Sequence, residues 1–479
     1  MITPVTAVEE FIGSARWFGG KGLASSVVDV RRVGSLGSTE LDDTPYVGIE
    51  LVTVAYDEGG SEIYQVPIAY YAQRQPRLEH AFIGEWEEEE LGSVVYAYDA
   101  VHDREVTILW LRAFDEGVRS GGLTFHRLPG HDLDMTTHST LFSGEQSNSS
   151  IAFGEDSLMK VFRKVTPGNN PDIEIHAALT RSENVHVAAL YGWLEAEGPE
   201  GAGGQPIHLA MLQQFLRTAS DGWDLALASV RDLFAEADLH ADEVGGDFAS
   251  EARRLGVATA EVHDALASAF PIDSWGATEL AALTEAMQGR LSDAIAAVPE
   301  LTRYAGALRE KYDALAHVST EEVVQRVHGD FHLGQTLRTV KGWKIVDFEG
   351  EPAKTLDERV RSDSPWRDVA GMLRSFDYAA HAVSVDVEAD GAVRQIAYRA
   401  AEWAARNQGE FLAGYVEASM RTSDGEISAD QRILLEAYVA DKAVYETVYE
   451  TRNRPGWVGI PLGAIARLTG QLKSLEETS

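Results

Sequence analysis

The sequence predicts a mixed α+β chain of 479 residues in which a β-rich N-terminal part precedes a mainly helical part. Alternating apolar and polar residues, typical of strands, occur early in the chain, as in Tyr46 to Val54 and Ile63 to Ala69. Apolar residues at helical spacing dominate from about Gly222 onward, for example in Ala397 to Ala413 and Ile433 to Tyr449. A chain of this length exceeds one ordinary core, so we expect two or three packed units.

The charge balance restricts the classes of partner. Acidic residues outnumber basic ones 76 to 41, which gives a formal net charge of −35. A surface of this sign repels nucleic acid and anionic membranes, so neither is expected as a partner. A polyphosphate ligand would have to be held against the overall field by local cationic side chains or bound metal ions.

Targeting and redox signals are few. The sequence contains no cysteine, so it forms no disulfide, and thiols give no information about its compartment. Met1 to Gly13 has no basic segment followed by a long apolar run, so no secretory signal is predicted. No stretch approaches the roughly 20 apolar residues of a membrane span. We expect a cytoplasmic protein that is a monomer or a homodimer.

The N-terminal strands are preceded by an aromatic block, Arg16 to Lys21. It predicts either a packed aromatic pair at the end of the first helix or a ligand contact, and the sequence leaves both readings open. A later Gly/Pro/Glu-rich segment, Glu195 to Pro206, predicts an exposed loop between two strands.

A hairpin is predicted after Leu133, with Ser147 to Phe153 and Ser157 to Arg163 as its strands. Its leading loop, Ser143 to Ser150, offers backbone N–H groups and hydroxyls that can hold phosphates. The candidate phosphate contacts are Ser147, Asn148 and Ser149. Because the loop matches no phosphate-loop formula, a polar hairpin tip is the alternative interpretation.

Lys160 lies in the second strand of this hairpin, on the same face as large apolar residues. Charged side chains seldom face a core unless they are paired. Glu174 stands near the start of a predicted helix, Pro171 to Ser182, that Asn-Pro-Asp opens. A Lys160–Glu174 ion pair would direct the ammonium at the α- and β-phosphates of a nucleotide. A solvated strand lysine is the alternative.

The segment from Gln325 to Glu351 carries the strongest chemical signal. A hydroxyl that attacks a γ-phosphate needs a carboxylate to orient it, and oxygen ligands to hold magnesium on the phosphates. Asp330 suits the first role, and Gln335 and Asp347 suit the second. Asp347 follows a strand-like run and would therefore emerge at a strand end. The pattern predicts a phosphotransferase centre.

The same segment admits a second interpretation, because His328 and His332 flank Asp330. Two histidines beside an aspartate could form a zinc hydrolase site. The downstream amide and carboxylate, Gln335 and Asp347, suit a hard cation better than zinc. We therefore favour histidines that brace the loop by hydrogen bonds.

A two-lobed phosphotransferase would need two further features, a hinge beside the adenine and an anchor for the catalytic loop. Ile207 to Phe215 reads as a buried strand, and the chain would cross behind adenine at its end. Gln213 and Phe215 are accordingly hinge candidates. Asp368 stands at a predicted helix start and is expected to anchor the catalytic loop.

These residues together resemble bacterial maltokinases and the related actinobacterial glucosamine kinases, within the aminoglycoside-phosphotransferase-like group. The resemblance covers nearly the whole chain. The segments that carry it are Arg16 to Phe18, Gly144 to Asn148, Gln325 to Gln335, Asp347 to Pro352, and Lys442 to Pro461.

The resemblance implies a two-lobed, eukaryotic-protein-kinase-like fold with an N-terminal β-rich cap and a mainly helical C-lobe. It places the cap at residues 1–110, the small lobe at 111–215 and the helical lobe at 216–479. It also implies Asp330 as catalytic base, Gln335 and Asp347 as Mg²⁺ ligands, and Lys160, paired with Glu174, as the lysine that binds the phosphates of ATP.

The chain departs from the maltokinase pattern at Gly19, Phe331 and Trp366, near loops expected to form the acceptor pocket. A ring at Trp366 is predicted to shorten the pocket to one sugar unit. In a C-terminal helix, carboxylates could meet a sugar amine and other side chains could hold hydroxyls. These candidates are Asp441, Lys442, Tyr445, Glu446, Tyr449, Glu450 and Arg454. A solvated helix face is their alternative interpretation.

The sequence therefore predicts an ATP- and Mg²⁺-dependent sugar kinase. Glucosamine 6-phosphotransfer is placed ahead of maltose 1-phosphotransfer. The alternatives from other classes are a metal-dependent hydrolase and a nucleotide-binding pseudokinase without catalytic activity.

Overall fold

The computed structural model describes residues 3–41, 45–142, 147–198, 204–235, 240–241, 243, 246–352, 354–385, 393–419 and 425–470. The chain separates into two compact units. The first comprises Met1–Ala177 and Ala188–Arg217, and the second comprises Ala178–Val187 and Thr218–Ser479.

The first unit is built mainly from antiparallel strands. Its helices are α1 (Pro4–Ser14), α2 (Arg104–Glu116) and α3 (Pro171–Arg181), the last of which ends in the second unit. Its strands are β1 (Ser25–Leu36), β2 (Tyr46–Tyr56), β3 (Ser61–Tyr71), β4 (Phe82–Glu88), β5 (Ser93–Asp99), β6 (Arg119–Ser120), β7 (Leu123–Arg127), β8 (Ser139–Leu141), β9 (Asn148–Phe153), β10 (Ser157–Phe162), β11 (Lys164–Val165), β12 (Leu190–Ala196) and β13 (Ile207–Gln214).

These strands form two sheets. One has the order β1-β2-β3-β5-β4, with β11 paired to β3, and the other has the order β6-β7-β12-β13-β10-β9-β8. Strand β2 is buried on both faces, so its alternate residues enter different cores. Val47 and Ile49 join a core that includes Trp110 of α2, whereas Val52 joins a core that includes Val8 of α1.

The strand predictions for the first unit are confirmed. Tyr46 to Val54 lies within β2 and Ile63 to Ala69 within β3, and they join through Gly59 and Gly60 at positive φ values of 99° and 89°. The aromatic block after α1 is packed, because Phe18 is buried and the Trp17 ring contacts Tyr64. These contacts favour the packing interpretation of this block.

The second unit is mainly helical. Its helices are α4 (Gly222–Ala235), α5 (Ala249–Ala269), α6 (Ala277–Ala297), α7 (Ala305–Asp313), α8 (Leu356–Arg359), α9 (Trp366–Val385), α10 (Val393–Ala418), α11 (Ala429–Asn453) and α12 (Gly459–Leu468). Its short strands are β14 (Ser220–Asp221), β15 (Asp273–Trp275), β16 (Glu322–Val324), β17 (Thr336–Thr339) and β18 (Gly342–Ile345), which form the sheets β14-β17-β18 and β15-β16.

Helices α5 and α10 approach each other closely because glycines stand at their contact. A Cβ on Gly256 would lie 2.0 Å from the carbonyl oxygen of Phe411, and one on Gly414 would lie 2.1 Å from that of Arg253. Helix α9 also packs against α10 and α11. The helices predicted from apolar spacing around Leu255, in 397–413 and in 433–449 are confirmed as α5, α10 and α11. None of the helices in the described part combines the length and apolar composition that crossing a membrane requires.

Candidate active site

The catalytic loop lies between β16 and β17. Two of its backbone amides bind a buried carboxylate, which holds the loop in place. Gly329 adopts a positive φ of 84°, which suits glycine and turns the chain immediately before Asp330. The amides of His328 and Gly329 donate to the two carboxylate oxygens of Asp368, at 2.7 and 2.9 Å. Asp368 is buried in the first turn of α9. The prediction that it anchors this loop is confirmed.

The two histidines of the loop hydrogen-bond to backbone groups of the loop and of the residue that follows β18. His328 donates through Nε2 to the carbonyl of Val346 at 3.0 Å, and its Nδ1 accepts from the amide of Asp330. His332 accepts at Nδ1 from the amide of Gly334 at 3.1 Å. Burial lowers the pKa of His332, so its ring is held neutral. These contacts favour the bracing interpretation over a zinc site.

Asp330 projects beside a lysine from α11. The ammonium of Lys442 lies 3.4 Å from Oδ1 of Asp330. Burial alone would lower the pKa of Lys442, but the carboxylates of Asp330, Glu446 and Glu351 outweigh it and raise this pKa. The carboxylate of Asp330 is the group here that could accept a proton from a hydroxyl, and the Lys442 cation holds it in place.

Gln335 and Asp347 are brought together by the hairpin of β17 and β18. The amide of Val346 donates to the carbonyl of Gln335, and Nε2 of Gln335 lies 3.1 Å from Oδ2 of Asp347. A half-turn of this side-chain amide would present Oε1 in place of Nε2. The pair then offers two oxygen atoms, the ligand type that Mg²⁺ prefers, so these residues fit a magnesium site.

A cavity of about 620 Å³ in the second unit opens beside Asp330. Its walls combine carboxylates with aromatic rings. The carboxylates are Asp330, Glu351, Glu446 and Glu450, and the aromatic residues are Trp223, Tyr378, Tyr445, Tyr449 and Trp457. Carboxylates can bind ammonium groups and hydroxyls, and flat rings can cover the apolar face of a ligand. The cavity therefore suits a polar ligand that carries hydroxyl or amine groups.

Two of these carboxylates are held by arginines. Glu446 lies 2.7 Å from Nη2 of Arg374, and burial raises the pKa of Glu446 although Arg374 opposes this shift. Glu450 lies 2.6 Å from Nη2 of Arg454 and accepts from the Tyr378 hydroxyl at 3.1 Å. The cavity wall is thus fixed by ion pairs before any ligand binds.

The predicted acceptor residues Lys442, Tyr445, Glu446 and Arg454 all line this cavity. Trp366 does not. It is 3% exposed and stacks edge-on against Tyr415 in the helical core. The predicted shortening of the pocket by Trp366 is therefore corrected, because the packing of α9 directs this ring inward.

Asp441 also lies elsewhere than expected. It forms a bidentate pair with Arg290, at 3.0 and 2.8 Å, beside a smaller cavity of about 220 Å³. That cavity also reaches Asp330 and Lys442. Both carboxylate oxygens of Asp441 are used in this pair, whereas the ion pairs of Glu351 with Lys354 and Arg367 use Oε2, so Asp441 is the weaker candidate for an amine contact.

The nucleotide-side candidates lie in the first unit. The carboxylate of Asp172 is 3.2 Å from Nζ of Lys160, and Glu174 accepts from the side chain of Asn169 at 2.9 Å. The sequence had not singled out Asp172, which stands in the first turn of α3. The pairing of Lys160 with Glu174 stays a prediction.

The predicted phosphate loop leads into β9. Ser149 is buried and accepts from Nε of Arg163 at 2.9 Å, so its hydroxyl is fixed inside the unit. Ser147 and Asn148 stand at the start of this strand, and residues 143–146 lie outside the described part.

The hinge candidates follow from β13. Gln213 pairs with Leu158 of β10, and the amide of Phe215 donates to the carbonyl of Asp156 at 3.0 Å. The chain passes from the first unit to the second two residues after Phe215. The role of Gln213 and Phe215 in nucleotide binding stays a prediction.

The sequence did not indicate two buried side chains, Arg374 and His263, that bind the carboxylates of the site. Arg374 fixes Glu446, and His263 lies 3.1 Å from Asp368. Arg374 carried a usable signal, because an arginine on the apolar face of α9 needs a buried carboxylate. His263 carried none, since a single histidine in an amphipathic helix is compatible with many environments.

A loop with a presented carboxylate, an amide–carboxylate pair suited to Mg²⁺ and a β-rich unit with a paired strand lysine define a phosphotransferase of the kinase-like type. The comparisons agree. Residues 140–412 match the family described as phosphotransferase enzyme family, and residues 11–103 match the maltokinase N-terminal cap domain. The chain belongs to the phosphotransferase enzyme family and carries a maltokinase-type cap.

Two relatives are named glucosamine kinase. The one from Streptacidiphilus jiangxiensis is 32% identical over 66% of this chain and 70% of its own length. The one from Mycolicibacterium smegmatis (strain ATCC 700084 / mc(2)155) is 26% identical over 68% of this chain and 78% of its own length.

A solved structure of a glucosamine kinase in complex with glucosamine, ADP and inorganic phosphate matches with a TM-score of 0.67 and 23% identity, over 96% of this chain and 98% of that chain. The predicted kinase-like fold, with a sheet-rich N-terminal cap and a helical C-terminal region, is confirmed.

Proposed function

We propose that this protein is an ATP- and Mg²⁺-dependent sugar kinase that transfers the γ-phosphate to the 6-hydroxyl of glucosamine. The observation that carries the proposal is the position of Asp330 at a cavity whose wall combines carboxylates with aromatic rings. An amino sugar is a cation with several hydroxyls, so it suits such a wall. The names of the two relatives support the same acceptor.

In this proposal Asp330 orients the acceptor hydroxyl and takes its proton as the bond to the γ-phosphate forms. The ammonium of Lys442, 3.4 Å away, would hold this carboxylate in position. Gln335 and Asp347 would hold Mg²⁺, which offsets the negative charge on the phosphate oxygens when it is bound. Glu351 lines the cavity beside Asp330 and uses Oε2 for its ion pairs with Lys354 and Arg367, so Oε1 is the proposed partner of the sugar amine.

The first unit would supply the nucleotide contacts. We assign Lys160 to the α- and β-phosphates, Ser147 to Ser149 to the phosphate loop, and Gln213 and Phe215 to the adenine side. Glu174 would support Lys160 from α3. The cap and small lobe would divide at about residue 110, and the reaction would take place in the cytoplasm, where ATP is available.

A second candidate is maltose 1-phosphotransfer. It is favoured by the volume of the cavity, about 620 Å³, and by the burial of Trp366 away from its wall. Without that ring the cavity has room for a second pyranose. The match to a maltokinase cap domain points the same way.

The proposal is tested by ADP release with Mg²⁺–ATP and a panel of glucosamine, glucose, N-acetylglucosamine and maltose. We expect the largest kcat/KM with glucosamine, since only its amine is cationic. Preference for maltose would replace the proposal by the second candidate. Equal turnover of glucosamine and glucose would contradict the proposed role of Glu351.

The proposed role of Asp330 as catalytic base is tested by a separate variant. Asp330→Asn should bind nucleotide and melt like the parent protein, yet lose about 10²- to 10⁴-fold in kcat, the range that a general base contributes. The matched control is Asp441→Asn, a carboxylate near Asp330 that is already paired with Arg290. Activity of Asp330→Asn within a few-fold of the parent protein would exclude it as the base.

A further inference from the structure

Behind the catalytic loop lies a buried chain of polar groups that the mechanism does not use. It joins Tyr415 of α10, His263 of α5 and Asp368 of α9. Oη of Tyr415 is 3.0 Å from Nδ1 of His263, and Nε2 of His263 is 3.1 Å from Oδ2 of Asp368. All three residues are buried, and His263 is 3% exposed.

The proton positions in this chain follow from its chemistry. An ionised carboxylate can only accept hydrogen bonds, and the surrounding donors lower the pKa of Asp368 although burial alone would raise it. His263 must therefore carry its proton on Nε2 and donate to Asp368. Nδ1 of His263 faces the Tyr415 hydroxyl at 3.0 Å, and a hydroxyl can either donate or accept there. Tyr415 thus holds the His263 ring in the orientation in which Nε2 points at Asp368.

Oδ2 of Asp368 is shared between the catalytic loop and this chain. It accepts from the amide of His328 at 2.7 Å and from His263 at 3.1 Å, while Oδ1 accepts from the amide of Gly329 at 2.9 Å. His328 and Gly329 directly precede Asp330. Any rotation of the Asp368 carboxylate therefore displaces the backbone from which the base projects.

Helix α5 holds the same segment at a second point. The side chain of Gln325 donates to the carbonyl of His263 at 2.7 Å, and the amide and carbonyl of Gln325 pair with Asp363. His263 thus contacts the catalytic segment through its ring, by way of Asp368, and through its backbone. Gly256 and Gly414 allow α5 and α10 to approach closely, and the Tyr415 hydroxyl of α10 lies 3.0 Å from the His263 ring of α5.

We propose that His263 is a positioning residue for phosphoryl transfer, which acts through Asp368 and is itself oriented by Tyr415. It does not touch substrate. Its function is to lock the Asp368 carboxylate so that the His328 and Gly329 amides, and with them Asp330, keep one geometry. The inference rests on the proposed role of Asp330 as base, and extends it to a residue of α5 that lies outside the catalytic loop.

The test compares two substitutions of the same histidine. His263→Leu removes the donor, whereas the side-chain amide of His263→Gln can reach Asp368 with an N–H. Since a displacement of about 1 Å from a remote mutation can cost about 10²-fold in rate, we expect His263→Leu to lower kcat by about 10- to 100-fold. KM for ATP and for the sugar should stay within about three-fold, and His263→Gln should recover most of kcat.

A second readout requires no acceptor. Amide hydrogen exchange, read on a peptide that covers residues 325–331, should be faster in His263→Leu and close to the parent rate in His263→Gln. His381→Leu, which alters a half-buried histidine elsewhere in the second unit, is the matched control and should change neither kcat nor this exchange by more than about two-fold.

The outcomes separate the two proposals. If the parent protein phosphorylates none of the sugars, the proposed acceptor is wrong, and exchange at 325–331 still decides the positioning role. The positioning role is overturned if His263→Leu shows unchanged exchange and a kcat within about two-fold of the parent value. It is also overturned if the Leu and Gln variants lose kcat equally.

If His263→Leu does not fold, Tyr415→Phe is the variant that tests the positioning role. A drop of about two- to ten-fold in kcat with faster exchange supports the role, and parent values overturn it.

Discussion

Asp99 of the first unit and Asp368 of the second unit are both buried, and their carboxylates are held in different ways. Asp368 of the second unit accepts from two backbone amides and one imidazole. Asp99 of the first unit pairs with the guanidinium of Arg163 at 2.8 Å. Among the described residues, Oδ1 of Asp99 and Nη1 of Arg163 are buried without a hydrogen-bond partner, whereas both oxygens of Asp368 are satisfied.

The two aspartates differ in whether a mutation can remove the hydrogen-bond partners of the carboxylate. Arg163 is a side chain, so both members of the Asp99 pair can be replaced by apolar residues. The partners of Asp368 include backbone N–H groups, which no substitution other than proline can remove. An aspartate held by a charge is therefore replaceable together with its partner, and an aspartate held by backbone is not.

Asp368→Leu should have the largest effect. It leaves two buried donors and one partly buried donor without an acceptor, and each costs about 1 to 3 kcal/mol. We expect urea unfolding to show a loss of roughly 3 to 9 kcal/mol, with kcat of the folded fraction at least about 10²-fold lower, because the amides that position Asp330 lose their anchor. A loss of stability below about 2 kcal/mol would show that the backbone donors find other partners.

Asp99→Leu should come next. It leaves the Arg163 cation buried and uncompensated, apart from its contacts with the Ser149 hydroxyl and the Trp17 ring. Breaking a buried pair from one side costs about 3 to 5 kcal/mol. Adding Arg163→Met should restore most of this loss in the same urea titration. If the double variant Asp99→Leu/Arg163→Met is as unstable as Asp99→Leu alone, then Asp99 is no more replaceable than Asp368.

The pH dependence of stability should show the smallest effect. The folded-state pKa of Asp368 lies below its ordinary value of 3.8, so the unfolded chain takes up this proton first as pH falls. Its stabilising contribution is complete above about pH 4 to 5 and is lost as pH falls through the folded pKa. The stability difference between the parent protein and Asp368→Asn, measured by urea titration from pH 6 to pH 3, should therefore shrink at the acid end. A constant difference would contradict this sign.

Local patterns accounted for most of the fold. Strand alternation located β2 and β3, and apolar spacing located α5, α10 and α11. The tertiary partners were harder to predict, because they depend on the rotation of each helix about its axis. The ring of Trp366 turned into the core rather than toward the acceptor cavity for this reason.

The site shows the same division. Asp330, Gln335 and Asp347 lie within one short segment, and the β17–β18 hairpin between the last two brings their side chains within hydrogen-bond distance. The position of Asp172 beside Lys160 depends on the phase of α3, which the sequence analysis did not provide, and the pairing of Lys160 with Glu174 stays a prediction. His263 and Tyr415 come from separate helices, so only the packing of α5 against α10 reveals their connection to the catalytic loop.

Asp347 bears on attempts to engineer this protein. Its φ of 65° is a conformation that glycine adopts freely and that other residues adopt at a cost of order 1 kcal/mol or more. A library selected only for heat resistance would therefore enrich Asp347→Gly, and the proposed magnesium ligand would disappear from the most robust clones. Directed evolution of this scaffold has to score turnover in every round, since thermal selection and catalysis favour different residues at this position.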